Sequence, residues 1–286
     1  MISLTDKQTL DFHRDGFVFV DKLISDSTIQ ELKDAFDKIF SGQFETGVRP
    51  DEVNWQEGES NPTKTRQICN AWKGNLKIAE TSLREDIGKA CAKLGGWPGG
   101  RIQVDNALWK PPGVGSIGMH RDCSYLSWLN PREMISCWIA LDDTTADGGT
   151  MELVTGSHQW SPTDQLGEFH DPADYQALMR ASALAEGVGK PEIVPVLVKK
   201  GSGSFHHGWT WHGSGPNASG AHRRALVVHC ISSEAHFVSE NISVGTGPIY
   251  GRYRHQDSEH MDESFFPILW SDNSGRTRWL DNVSDK

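Results

Sequence analysis

From Arg101 onward the chain breaks into short, largely apolar runs, each closed by a strong turn signal. The runs fall at 101–110, 116–122, 134–142, 149–155, 193–199, 203–212 and 223–231. The turns between them include Pro111-Pro112-Gly113, Asp147-Gly148-Gly149 and Gly213-Ser214-Gly215. Side chains alternate faces along a strand, so runs of this kind need a second layer to cover the apolar face. Seven or eight such strands predict a mainly β protein. The expected architecture is a double-stranded β-helix, or jelly roll, in which two sheets close on each other.

The N-terminal part reads differently. Thr5 and Gln8 have the spacing of a capping box, which predicts a short helix ending near Gly16. Phe17 to Leu23 reads as a strand. Ser25 or Asp26 caps a second helix, with Ile29, Leu32, Phe36, Ile39 and Phe40 at helical spacing. Residues 41–63 are polar and read as loop, and a third helix is expected over 79–94. A polar, helical insertion at 161–192 interrupts the strands; an insertion of that length is either a lid or surface decoration. The expected organisation is one domain over 1–286: a helical flank (1–100), a jelly-roll core (101–240) and a C-terminal extension (241–286).

Composition excludes several classes. A chain of 286 residues with 37% hydrophobic content can bury a full core. Its net charge is −10 and no basic stripe is evident, which argues against nucleic acid as a partner. No apolar run approaches the roughly 20 residues that span a bilayer, so no membrane association is expected. The N-terminus does not have the pattern of a secretory signal. Five cysteines without a Cys-x-x-Cys pair suggest free thiols in the cytoplasm.

One constellation carries chemistry. His120-Arg121-Asp122 lies in a predicted strand, where residues i and i+2 share a face, so His120 and Asp122 can reach one ion while Arg121 points away. A third ligand must come from a neighbouring strand. The candidates are His206, His207 and His212; His212 is favoured because Gly213-Ser214-Gly215 lets the backbone approach a ligand closely. Two histidines and a carboxylate leave metal positions open, as non-haem Fe(II) oxygenases require. A kinase reading of His-Arg-Asp fails, since the fifth residue after Asp122 is Ser127 rather than Asn. Cys123, beside the ligands, reads mainly as a small buried residue, with an extra ligand as the alternative.

The segments LTDKQTLDFHRDGFVFV, LWKPPG, GMHRD, CWIALDD, ELVTGSHQW, WHGSGPN and HRRALVVHC resemble the phytanoyl-CoA dioxygenase family of Fe(II)/2-oxoglutarate oxygenases over nearly the whole chain. The resemblance implies an oxidoreductase using Fe(II), 2-oxoglutarate and O2, with His120, Asp122 and His212 on the metal. It places Arg223 on the distal carboxylate of 2-oxoglutarate, with Ser214 beside it and Trp138 as a wall. A planar guanidinium suits a carboxylate, and Arg224 would point to the opposite strand face. Gln103 and Asn106 are candidates to bind co-substrate or substrate, although a spacing of three does not put both on one face of a regular strand. Lys64, Arg66 and Asn70 fall in a region where the resemblance is loose.

The expected reaction is hydroxylation of an unactivated C–H in a small molecule. A carboxylate ligand at Asp122 occupies the place a halide would need. Desaturation, ring closure, epimerisation or a silent binding module are the alternatives. The 11 tryptophans, with Lys64 and Arg66, suggest a zwitterionic amine or aminoalkylphosphonate as substrate.

Overall fold

The computed structural model describes residues 1–238, 240, 242–273 and 275–282. A large antiparallel sheet runs, edge to edge, through β1 (Phe17–Val20), β10 (Gly203–His207), β7 (Ile135–Ala140), β12 (Arg223–Ser232), β4 (Gly99–Lys110), β3 (Arg66–Cys69) and β2 (Glu52–Val53). β14 (Ile268–Ser271) also pairs with β4. A smaller sheet of β5 (Ile117–His120), β11 (His212–Ser214), β8 (Glu152–Val154) and β9 (Ile193–Pro195) closes over it. β6 (Leu129–Asn130) and β13 (His236–Phe237) form a short ribbon at one end. The expected jelly roll is therefore present.

Helices cover the outer face of the large sheet. α1 (Asp6–Asp15) begins at the Thr5–Gln8 capping box, with both reciprocal bonds formed, and ends at Gly16 in the left-handed conformation. Ser25 caps α2 (Asp26–Phe40), whose five expected apolar positions are all buried. The single helix expected at 79–94 is two: α3 (Leu76–Ser82) and α4 (Glu85–Gly95), with Arg84 extended between them. Arg84 holds Asp86 and the Leu23 carbonyl there, bonds a continuous helix would not allow.

Strand alternation sorts the large sheet into two faces. On β7, Ile135, Cys137 and Ile139 pack into the core under the helices, while Trp138 and Ala140 face the smaller sheet. On β12, Leu226, Val228 and Cys230 go outward and Ala225 and Val227 inward. The inner layer also takes Phe17, Met151, Leu153 and Val196. Arg223 and His229 share the parity of Ala225 and Val227, so they too face inward.

Several expectations shift. The run at 203–212 is two strands in different sheets, β10 and β11, joined by a turn through Gly208 and Trp209. The insertion contains one helix, α5 (Ala177–Ala185); its first half, residues 161–175, has almost no regular structure but is tied to the site. The C-terminal part is more than an extension, because β14 joins the large sheet and α6 (Gly247–Tyr250) reaches the central cavity. All five cysteines are buried and free.

Candidate metal centre and co-substrate niche

His120 ends β5 and His212 begins β11, and the two are direct partners in the antiparallel pair. Asp122 lies just past the strand, as the first residue of a 3-10 turn (Asp122–Tyr125) with Arg121 extended before it. The pair thus converges through a strand end and a turn rather than through two positions of one strand. His120, Asp122 and His212 offer ligand atoms all within 4.8 Å of one another. The Nε2 atoms of His120 and His212 lie 3.6 and 3.5 Å from Asp122 Oδ1.

Hydrogen bonds prepare these atoms. His120 Nδ1 meets the Gly118 carbonyl at 2.8 Å, and His212 Nδ1 meets the Thr210 carbonyl at 2.9 Å. A carbonyl can only accept, so each Nδ1 carries the proton and each Nε2 keeps its lone pair for a metal. Burial, and then the neighbouring His120, holds the His212 imidazole well below its usual value and so neutral. Burial would raise the Asp122 carboxyl, but His212, His229, His120 and His206 around it hold it well below the usual range.

Behind the carboxylate stands a relay. Ser136 Oγ donates to Asp122 Oδ2 at 3.0 Å and lies 2.7 Å from His229 Nδ1. Asn106 Nδ2 donates to His229 Nε2 at 3.0 Å. The consistent proton assignment puts the His229 hydrogen on Nδ1, facing Ser136. Burial pushes His229 down to about 4, which keeps it neutral in that role.

Arg121, the middle residue of the triplet, points away as expected. It is buried between the rings of Trp209 and Trp211, at 5.2 and 5.0 Å, and donates to the Ser161 carbonyl. Other bonds join the insertion to the same segment. Gly118 N donates to Phe169 O, Met119 N to Tyr175 O, and Ser124 Oγ to Thr163 O. A Cβ at Gly118 would lie 2.4 Å from the Glu168 carbonyl, so this close seam requires glycine. The Phe169 ring meets His120 edge-on at 4.9 Å.

A small cavity of about 50 Å³ begins at the ligand cluster and is walled by Trp138, Ser214 and Arg223 among others. Arg223 is buried and donates to the Gly149 carbonyl at 2.8 and 3.1 Å, with Ser214 Oγ 3.4 Å away. Arg224 faces outward and makes a two-pronged pair with Asp142 at 3.0 and 3.1 Å. Lys110 lies opposite Arg223 in the sheet, buried, and donates to the Gly215 carbonyl at 2.6 Å. Burial, with Arg223 next, holds its amine well below the usual value. Among the described residues Arg223, which lines this cavity, has no carboxylate in ion-pair reach, and that suits the niche to an anion.

A larger cavity of about 310 Å³ adjoins the first, sharing Gln67, Asn106, His120, Asp122, Phe169 and His229 with it. Gln103 and Asn106 both line it despite their spacing of three. The reason is a bulge: His229 pairs with Val104 and Cys230 with Ile102, so Gln103 has no partner of its own and turns inward.

The remaining sequence candidates fall partly where expected and partly elsewhere. His206, less favoured than His212 as a ligand, lines the small cavity, 4.7 Å ring to ring from His212. His207 packs away from the metal cluster, against His158 and Phe12. Gly213 lines the small cavity and also packs closely on β5: a Cβ there would lie 2.8 Å from Met119 Cγ and 2.9 Å from the Ile117 carbonyl. Cys123 is a buried thiol, pushed up by burial, that lines neither cavity. Arg66 stacks between Trp55 and Trp109, Asn70 bonds Asp51 and Trp72, and Lys64 is exposed; none lines either cavity. Among the described tryptophans Trp138, the expected wall, is the one that lines either of these two cavities, and the excess is mainly packing. His229 was overlooked, although its even spacing from Arg223 on one strand was a usable signal.

A jelly roll holding two histidines and a carboxylate beside a buried arginine defines an Fe(II)- and 2-oxoglutarate-dependent dioxygenase. Comparison with known proteins gives the family: the model for phytanoyl-CoA dioxygenase (PhyH) matches residues 12–225, and the chain belongs to that family. It is 26% identical to the dioxygenase cdmD of Talaromyces verruculosus over 253 residues, covering 78% of this chain and 74% of that protein. It is 25% identical to a probable alpha-ketoglutarate-dependent hypophosphite dioxygenase of Stutzerimonas stutzeri, covering 77% and 76%. Its fold matches the alpha-ketoglutarate-dependent carbocyclase SnoK from nogalamycin biosynthesis with a TM-score of 0.70 at 21% identity, over 93% and 96% of the chains. No described helix is long and apolar enough to cross a membrane.

Proposed function

We propose that this protein hydroxylates an unactivated C–H of a small molecule, with His120, Asp122 and His212 holding Fe(II) and Arg223 anchoring 2-oxoglutarate. The observation that carries the reading is that one small cavity is lined by all three ligand residues and by a buried arginine that, among the described residues, has no carboxylate partner. Iron, 2-oxoglutarate and O2 together supply the oxidising chemistry when bound.

The chain's own residues do the rest. Each histidine presents Nε2 because its Nδ1–H is committed to a carbonyl. Asp122 directs Oδ1 toward both histidines while Ser136 holds Oδ2. Arg223 and Ser214 receive the distal carboxylate, Trp138 walls it, Asn106 borders the junction of the two cavities, and Gln103 lines the larger one. Phe169 covers His120 and excludes water from that side. Asp122 as a ligand leaves no place for a halide, which supports hydroxylation over halogenation.

The test is an anaerobic titration of the apoprotein with Fe(II) and 2-oxoglutarate, followed by succinate release under air. A visible charge-transfer absorption that requires both additions, and that is lost in His212→Ala, is expected. Absence of any metal-dependent 2-oxoglutarate binding would reduce the protein to a silent binding module.

A further inference from the structure

The larger cavity restricts what the substrate carries. Among the described residues its lining contains no lysine or arginine, and Glu52 is its one carboxylate besides Asp122. His170, also in the lining, is pushed below its usual value by burial and then by Lys64 and Lys110, so it offers no charge near pH 7. An anionic group entering here would lose its water and meet no cation. That weighs against the aminoalkylphosphonate suggested by composition, and against an acyl-CoA.

Hydrogen-bonding capacity narrows the choice further. Four carboxamides, Asn54, Gln67, Gln103 and Asn106, line the cavity with Glu52. Gln103 is 2% exposed, and its Nε2 is a buried donor without a partner. Asn106 Oδ1 is a buried acceptor without a partner. An ammonium group can satisfy only the acceptor, and a phosphonate or carboxylate only the donor; a hydroxyl satisfies both. Glu52 already accepts the Tyr250 hydroxyl at 2.8 Å and retains acceptor capacity for a second. The Tyr125, Phe169 and Tyr250 rings supply flat apolar walls.

We propose that the substrate is an uncharged, polyhydroxylated ring of the glycoside class, whose hydroxyls are bound by Glu52, Gln103 and Asn106 beside the metal centre. This rests on the reading of the protein as an Fe(II)/2-oxoglutarate hydroxylase, but binding can be measured without it. Hydroxyls of the ring donate to Glu52 and Asn106 and accept from Gln103, while its C–H faces lie against the aromatic rings.

The test uses three kinds of probe: a panel of methyl glycosides, choline as a cation, and 2-aminoethylphosphonate as a zwitterion with an anionic end. Each is titrated into the full chain by calorimetry, with and without Fe(II) and 2-oxoglutarate under anaerobic conditions. Succinate release above the uncoupled rate is read under air. At least one glycoside is expected to bind, to perturb the visible absorption and to raise succinate release, with choline and 2-aminoethylphosphonate inert. Gln103→Leu and Glu52→Gln should each weaken that glycoside about three- to tenfold and leave 2-oxoglutarate affinity unchanged. If the Fe(II)/2-oxoglutarate absorption never forms, the enzymatic reading fails, and glycoside binding in calorimetry still decides the substrate class. The proposal is overturned if no glycoside binds in either arm, if choline or 2-aminoethylphosphonate binds instead, or if Gln103→Leu leaves glycoside affinity untouched.

Discussion

His120 and His212 face each other as Cα partners across the β5–β11 pair, their ring centroids 4.2 Å apart. One strand pairing therefore brings together two imidazoles separated by 92 residues, and Asp122 completes the group from the turn that follows β5.

Loss of any of these three side chains should abolish turnover. Removing a hydrogen-bonding support of a metal ligand costs about 10–100-fold in metal affinity or activity, and removing the ligand itself costs more. His120→Ala, Asp122→Ala and His212→Ala should each fall below ~1% of wild-type succinate release. Their circular dichroism should be unchanged, because the ligands lie outside the apolar core. His207→Ala, which packs on Phe12 and His158, should retain iron binding; the opposite result would move the third ligand to His207.

Arg223 and Arg224 should fail in different ways. Arg223→Lys keeps the charge but not the planar fork, so the KM for 2-oxoglutarate should rise about tenfold or more with little loss of fold. Arg224→Ala leaves Asp142 with Lys33 and the backbone N–H of residue 224 and should lower stability by about 1–2 kcal/mol while leaving that KM unchanged. Steady-state kinetics with 2-oxoglutarate varied, beside urea unfolding of both variants, separates the two. A KM effect in Arg224→Ala would reverse the face assignment of β12.

Ser136 tests the relay behind the carboxylate. Ser136→Ala removes the donor to Asp122 Oδ2 and leaves His229 Nδ1–H without its acceptor. Iron affinity should drop about 10-fold, read by competition with a chelator, and Ser136→Thr should restore part of it. Equal iron affinity in the wild type and Ser136→Ala would show that the relay does not orient the ligand.

His207 should contribute to acid sensitivity. Burial pushes its pKa down to about 4, so the unfolded chain binds a proton more readily than the folded one between about 6.5 and 4. The stability it contributes is complete above about 6.5 and is lost as pH falls through 4. Burial lifts Asp105 to about 7, which acts in the opposite direction over much of this range, so the comparison must be made by difference. Wild type should lose up to about 3 kcal/mol more than His207→Asn between pH 7 and pH 4. Urea denaturation of both proteins at a series of pH values measures this, and parallel curves would refute it.

Much of this molecule was determined by sequence alone. The Thr5–Gln8 box, the apolar face of α2 and the strand runs with their turns rest on local propensity and periodicity, which act within a few residues. The inward direction of Arg223 is also local, since parity along a strand sets it, and His120 meets Asp122 locally through the turn that follows β5. Tertiary structure decided the rest. The bulge at Gln103 arises only from pairing with β12, and it brings Gln103 and Asn106 into one cavity against their spacing. Glu52, Phe169 and Tyr250 converge from β2, the insertion and the C-terminal part, so no sequence window contains the substrate cavity. His206 and His207 are neighbours of identical chemistry. One lines the niche and the other leaves it, because β10 presents successive side chains to opposite faces and the site exists on only one of them.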